Sequence, residues 1–509
     1  MKTQLIGLVT GLALAACGDD GTMNTPDAPP SPDAPLPDSP DPDAPPSWTK
    51  PAAQSLALSA TGPDRMYSVA VDPATDKFYV AGYRAATPTG DRKIIVTRLL
   101  STGLPDTTFG TGGTLDTEVV FKGGDDEIDV VKVDGGVLIS ATVAAAAINA
   151  LDAADTDIGL IKVTDAGALD TNFGGGDGVA VFSLNSSALN TATPPAPFGR
   201  DQVRGLFVDG DGKIYIHAGA RANGDVMGGN TPRTDTDYIV AKFLDDGSDF
   251  DTSFSTDGKY EQDIYIGGMH SNATPRGITV LADGSVLAGG YANVGLTTGP
   301  QIVMFRLTSA GALDTNFAPT SVIPGLYHAT VLGTQTEMYN FAMHGDTFVT
   351  GGYGRDSGDI NDWISLRYNA ATAARDTTWG GAGFTDGKVL FDPTPSNSAG
   401  SNACRNAVAL PGDKTLLVGM SNRDVNTSAS PMPTYQDAAF AVLDANGALD
   451  TAYGSGVALY QFGNDGADMF WGAAVNSTHA LIVGWRGATV SPQTDTDNDD
   501  AYAVLLPLE

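Results

Sequence analysis

From residue 54 onward the chain is a succession of short apolar runs, about four to seven residues each, broken by Gly, Asp and Asn. Runs of that length bounded by turn residues predict β-strands. No long stretch shows helical periodicity with caps. The clearest run follows a turn and ends on a small residue. It occurs seven times: Lys77–Gly82, Gly136–Ala141, Lys213–Ala218, Ser285–Gly290, Thr347–Gly352, Lys414–Gly419 and His479–Gly484. Its last position is always Gly or Ala, as expected where neighbouring backbones approach closely.

A second motif, Asp-Thr-x-aromatic, begins at Asp106, Asp170, Asp251, Asp314, Asp376 and Asp450, six copies spaced 62 to 81 residues apart. The two motifs divide the chain into units of four strands. Strand A is short and apolar, as in Tyr67–Val71 or Val203–Val208. A tight turn leads to strand B, the run just described. Strand C follows a variable loop, as in Ile94–Leu99 or Ile302–Leu307. The Asp-Thr corner leads to strand D, as in Val179–Phe182 or Val457–Tyr460. Four strands in about 60 residues make a propeller blade with generous loops. The seventh unit ends at strand C, Tyr502–Leu506, while an unpaired run, Ser55–Ser59, precedes the first strand A. The prediction is an all-β, single seven-bladed β-propeller of four-stranded blades over residues 50–509, its ring closed by an N-terminal strand. Closure removes the sheet edges that an open array would expose.

The unit resembles the delta-sixty repeat, a family of uncharacterised bacterial β-propeller proteins. The likeness is best at residues 211–254 and 283–317 and extends over about residues 54–509. Unit 7 lacks the Asp-Thr corner, and units 1 and 4 lack the Asp before strand C. The resemblance implies the fold and an envelope location, and it carries no catalytic residues.

The first residues have a different character. Lys2 precedes an apolar stretch, Leu5–Ala16, too short for the ~20 residues of a membrane-spanning helix. It ends in Leu14-Ala15-Ala16-Cys17, the form of a lipobox. Residues 1–16 are therefore expected to be a lipoprotein signal peptide, with Cys17 as the lipid attachment site. Gly18 rather than Asp follows, which favours the outer membrane and leaves periplasmic and surface-exposed orientations open. Residues 18–47 hold little but Gly, Asp, Pro, Ser, Ala and Thr. They cannot bury a core, and residues 17–49 read as a lipidated, disordered tether.

A charged content of 17% and 62 glycines favour a turn-rich β protein over a helical one. The net charge of −32 argues against a nucleic-acid partner, which needs a basic surface. It also makes the lipid on Cys17, not the protein surface, the contact with the membrane. Cys404 is the one other cysteine, so the body has no internal disulfide. It reads as a buried small residue.

Five strand C positions carry a basic residue, Arg98, Lys162, Lys242, Arg306 and Arg367, eight or nine residues before the corner aspartate. Pairing across the corner and capping of the turn amides are the expected roles. Residues used once per blade are read as structural.

The A–B turns are tight. The long segments are B–C loops (142–156, 219–237, 420–437, 485–500) and D–A loops (183–200, 392–404), which share one face of a propeller. Variable loops on a rigid scaffold are where binding concentrates. Asp155, Asp157, Asp235, Asp237, Asp359 and Asp362 stand there as candidate binding residues. Asp495, Asp497, Asp499 and Asp500 are candidate calcium ligands, since calcium takes six to eight oxygens. A solvated acidic rim is the bland alternative.

Asp209–Lys213 begins like an EF-hand loop, but the required Glu is Ala220, so a hairpin turn is expected. His-Glu-x-x-His, a Walker loop and Gly-x-Ser-x-Gly are absent, and His217, His270, His328, His344 and His479 lack metal-ligand spacing. These readings favour a lipid-anchored binding or scaffold module with a protein or glycan partner on the long-loop face. The alternative is a hydrolase or lyase acting on envelope polysaccharide.

Overall fold

The seven small-ended runs form the second strands of seven antiparallel sheets, arranged as the repeat predicts. The computed structural model describes residues 48–509 apart from 125–126, 146–154, 185–199, 222–232, 234, 296–298, 359, 382–383, 395–400, 423–435, 463–466 and 488–498. Among the described residues there is no α-helix. Blade 3 shows the pattern: Gln202–Val208, Ile214–Arg221, Thr236–Phe243 and Lys259–Gln262, hydrogen-bonded in sequence order. The first strands of the other blades are Asp64–Asp72, Ile128–Val133, Ala273–Val280, Gln335–His344, Ala403–Leu410 and Met469–Val475. Each packs against the first strand of the next blade, and the seventh packs back on the first. The chain is a seven-bladed β-propeller with its A strands around the axis.

The small residue ending strand B answers to a bulge in strand A. In blades 1, 5, 6 and 7 the register slips by one residue at Tyr67, Tyr339, Arg405 and Trp471. Opposite stand Gly82, Gly352, Gly419 and Gly484, where a Cβ would lie within 1.9–2.1 Å of a strand A carbonyl oxygen. Gly290 of blade 4 is equally confined by Thr274. Blade 2 has Ala141 there and no slip. Blade 3 combines Ala218 with a slip at Arg204.

The Asp-Thr corners form as expected. Asp106, Asp170, Asp251, Asp314, Asp376 and Asp450 each accept the backbone N–H two residues on, at 2.8–3.1 Å. All five expected ion pairs form: Arg98–Asp106 (2.9 Å), Lys162–Asp170 (3.4 Å), Lys242–Asp251 (3.1 Å), Arg306–Asp314 (3.5 Å) and Arg367–Asp376 (2.6 Å). In blade 6 the cation comes from strand B, as Lys414–Asp450 (2.7 Å).

The motif's aromatic residue is buried in all six copies. In the first five copies the residue after it donates to a carbonyl in the next blade's C–D corner: Gly110 to Ala166, Gly174 to Asp246, Ser255 to Ala310, Ala318 to Thr372 and Gly380 to Asn446. One short motif thus turns the chain, fills the core and ties blade to blade.

Blade 7 is completed by the N-terminal strand. Ala53, Gln54 and Ser55 pair with Val504, Ala503 and Tyr502. The strand lies at Ala53–Ser55, a little before the expected Ser55–Ser59. Asp64 accepts the N–H groups of Ser59 (2.9 Å) and Ala501 (2.6 Å), and so draws residues 59–62 away toward strand A. The chain ends also replace the missing corner. Trp48 packs on Gly454, Gln54 Nε2 donates to the Gly103 carbonyl (2.6 Å), and the Glu509 N–H donates to Tyr453 Oη (3.3 Å).

One element was not foreseen. A hairpin of Ile264–Ile266 and Met269–Ser271 precedes blade 4, turned by Gly267 and Gly268, both at positive φ.

Deleting residues 50–62 removes the closing strand and should destabilise the body by at least about 3 kcal/mol, from lost strand pairing and apolar burial. Denaturant unfolding measures this. A deletion variant as stable as the parent would contradict closure by this strand.

Candidate functional site

The strand A bulges aim side chains at the propeller axis. A bulge leaves one residue without a ladder partner and redirects its side chain. Tyr67, Arg204, Tyr339, Arg405 and Trp471 are such residues, and in blade 4 Arg276 and Gly277 share the slip. With Asp129 of blade 2, they line an axial cavity of about 240 Å³ to which all seven blades contribute. The bulges sit in the first half of each A strand, toward the face bearing the B–C and D–A connections.

Arginines and rings dominate this ring of side chains. The Arg276 guanidinium carbon lies 4.0 Å from the Tyr339 ring centroid, and that of Arg405 lies 4.6 Å from it. Arg405 also lies 4.9 Å from the Trp471 ring and 5.6 Å from Tyr353. Such stacking holds a planar cation in place without neutralising it. Arg405 forms no ion pair among the described residues, and its buried Nε has no hydrogen-bond partner there. Arg276 donates to Tyr291 Oη (3.1 Å), and Arg204 is paired with Glu127 (3.1 Å).

The field shows in the titration of the neighbours. Burial alone would raise the Tyr339 phenol, but the guanidiniums of Arg276 and Arg405 outweigh it and bring the pKa down to about 8. Its hydroxyl lies 3.2 Å from that of Tyr353, whose own pKa burial drives far up. Burial also raises Glu337, which accepts a hydrogen bond from Gln335 Nε2 (2.6 Å).

Asp129 is buried and holds three blades together at the axis. It accepts from Ser68 Oγ of blade 1, from the N–H of Val130, and from the N–H of Leu206 of blade 3 (3.1 Å). Burial raises its pKa to about 6 despite these donors. Asn340 Nδ2 donates to Asn406 Oδ1 (2.8 Å) across blades 5 and 6. His217 is buried neutral, with its pKa lowered to about 3 and Nδ1 beside the Arg276 and Gly277 carbonyls, as a packed residue would be.

The acidic residues singled out from the sequence lie apart from this cavity and are largely engaged by protein cations. Arg233 bonds Asp235 (2.6 Å), Asp237 (2.7 Å) and Asp263 (2.8 Å) at once. Asp235, Asp263 and His270 could together reach one metal ion, but Arg233 already sits on two of the three. Asp157 is buried, Asp155 is half-buried, and Asp362 accepts from Asn402 Nδ2 (3.2 Å). Asp499 is bound by Arg65 (2.6 Å) and Asp500 by Arg486 (2.5 Å).

Asp359, Asp495 and Asp497 lie outside the described residues, as do most of the long loops. Cys404 is buried, and burial pushes its thiol up to about 12. Asp209–Lys213 forms the expected hairpin turn.

Strand A, the source of the axial residues, gave no repeated residue type in the sequence. The signal present was the invariant small residue ending strand B, which marks the bulge opposite.

No family model matches the chain, and no curated relative does. Solved structures do. The parainfluenza virus 5 hemagglutinin-neuraminidase is 12% identical, with a TM-score of 0.38, over 91% of this chain and 95% of that one. The subtype N11 neuraminidase-like protein of A/flat-faced bat/Peru is 9% identical, with a TM-score of 0.37, over 90% and 94%. An endo-arabinase from Bacteroides thetaiotaomicron is 12% identical, with a TM-score of 0.27, over 68% and 96%. Likenesses this distant carry no chemistry across to this chain.

Asp129 makes a pH prediction. Its folded pKa of about 6 lies above the ordinary 3.8, so its contribution to stability is lost as pH rises from about 4 through about 6. Relative to Asp129→Asn, the parent should gain about 1–3 kcal/mol of stability between pH 7 and pH 4, read by denaturant unfolding. Parallel curves for the two proteins would contradict the assignment.

Proposed function

We propose that the chain is a lipid-anchored binding module of the bacterial cell envelope, held to the outer membrane through Cys17. It meets a protein or glycan partner with the face formed by the B–C and D–A connections. The observation that carries this reading is the axial cavity set toward that face, with arginines and aromatic rings from several blades. A rigid closed ring supports the site, and the strand ends that carry the longest and most varied connections lie at that face. The kinship with delta-sixty repeats belongs to the same proposal and agrees with an envelope location.

The enzymatic alternative, a polysaccharide hydrolase or lyase on the same scaffold, draws on the raised carboxyls of Asp129 and Glu337. Both already accept hydrogen bonds from protein donors, Asp129 from three and Glu337 from Gln335. That arrangement suits structural acceptors better than groups turned toward substrate.

Photo-crosslinking in intact cells tests the choice of face. A benzophenone side chain at Ser357, exposed in the B–C connection of blade 5, should yield adducts with an envelope protein or glycan. The same group at Ala310, exposed in the C–D corner of blade 4, should yield none. Adducts from Ala310 alone, or equally from both, would overturn the assignment.

A further inference from the structure

We infer that the axial cavity takes the carboxylate of an acidic sugar residue on the Arg405 guanidinium, beside the Tyr339 ring. The inference rests on the proposed binding role of this face and names the ligand chemistry.

Three observations converge on it. First, two guanidiniums approach one ring, at 4.0 and 4.6 Å, with Arg405 forming no ion pair among the described residues. Guanidinium donors in a fixed fork match a carboxylate, and charge-assisted bonds of this kind are about twice as strong as neutral ones. Of the carboxylates nearest the axis, Asp129 is held by Ser68 and two backbone amides and Glu127 by Arg204, while Glu337 accepts from Gln335 and, though it interacts electrostatically with Arg405, forms no ion pair with it among the described residues. Second, the cavity's 240 Å³ is the scale of one sugar unit rather than a protein segment. Third, its wall mixes aromatic rings, Tyr67 and Trp471, with hydroxyl and amide groups, Ser68, Asn340 and Asn406. A pyranose acid presents an anion, several hydroxyls and an apolar ring face to match those three surfaces. An acidic peptide offers the anion alone.

The net charge of −32 makes the molecule as a whole repel such a ligand at long range. Selection must therefore come from short-range contact inside the cavity. Because ordinary salt screens the repulsion over about 8 Å, it does not bar entry.

Calorimetric titration of the full-length lipidated protein in detergent tests this, with D-glucuronate as the acidic probe, D-glucose as its neutral counterpart and tri-aspartate as the peptide probe. Glucuronate should bind saturably, and glucose and tri-aspartate at least about tenfold more weakly. Arg405→Gln should weaken glucuronate at least about tenfold with an unchanged melting temperature. Arg405→Lys, which keeps the charge but loses the fork, should recover part of the loss.

Glucuronate binding no tighter than glucose, or unaffected by Arg405→Gln, would overturn the inference. If both variants melt early, the parent's preference for glucuronate over glucose decides alone. Tighter binding of tri-aspartate would make the cavity a peptide site and also overturn it. Adducts at Ser357 without glucuronate binding would sink this inference and leave the choice of face standing. Glucuronate binding with adducts only at Ala310 would do the reverse.

Discussion

The organisation of this propeller depends on the close approach of the strand A backbone to the end of strand B. In five blades a Cβ at the terminal Gly of strand B would fall within 1.9–2.1 Å of a strand A carbonyl oxygen. Only glycine fits, and the space it leaves accommodates the bulge. In six blades a bulge turns a side chain toward the axis. The same local crowding therefore shapes the sheet and furnishes the cavity. Where the small residue is Ala141, strand A runs in register, and Asp129 serves as a buried joint between blades instead.

The opposite face is governed by a different device. Each Asp-Thr corner commits its carboxylate to a turn amide and a neighbouring cation and buries its aromatic ring, and the first five pass a hydrogen bond to the next blade. These ties are local in sequence and repeat from blade to blade. The two steps on either side of blade 7 require residues far apart in the chain. There Trp48 and Glu509 meet the blade 6 corner, and the Ala53–Ser55 strand completes blade 7 and reaches blade 1 through Gln54. One face is thus stitched tightly, which leaves the other free to carry long connections.

Most of the fold was legible in the sequence because its determinants recur. The seven small-ended runs, the six Asp-Thr corners and the orphan N-terminal run specify blade number and closure, and the corner ion pairs follow from spacing alone. The site was far less legible. Aspartates clustered in the loops attract notice by charge, yet Arg233, Arg65 and Arg486 engage several of them. Those arginines lie close in sequence or far away with no motif to mark them. The axial residues differ in type from blade to blade, Tyr67, Arg204, Arg276, Tyr339, Arg405 and Trp471, so no repeat search finds them. A glycine required by backbone geometry was the pointer, and its meaning depends on knowing the register of the strand opposite.

The folded ring brings the guanidiniums of Arg276 and Arg405 onto the Tyr339 ring at its axis. Ultraviolet titration of phenolate formation in the native protein, compared with Tyr339→Phe, tests it most directly. One phenol should ionise near pH 8 and be absent from the variant, while Tyr291 and Tyr353 stay protonated well beyond it. If no tyrosine ionises below the ordinary range near 10, or if the early step survives in Tyr339→Phe, the axis does not hold the charge assigned to Arg276 and Arg405.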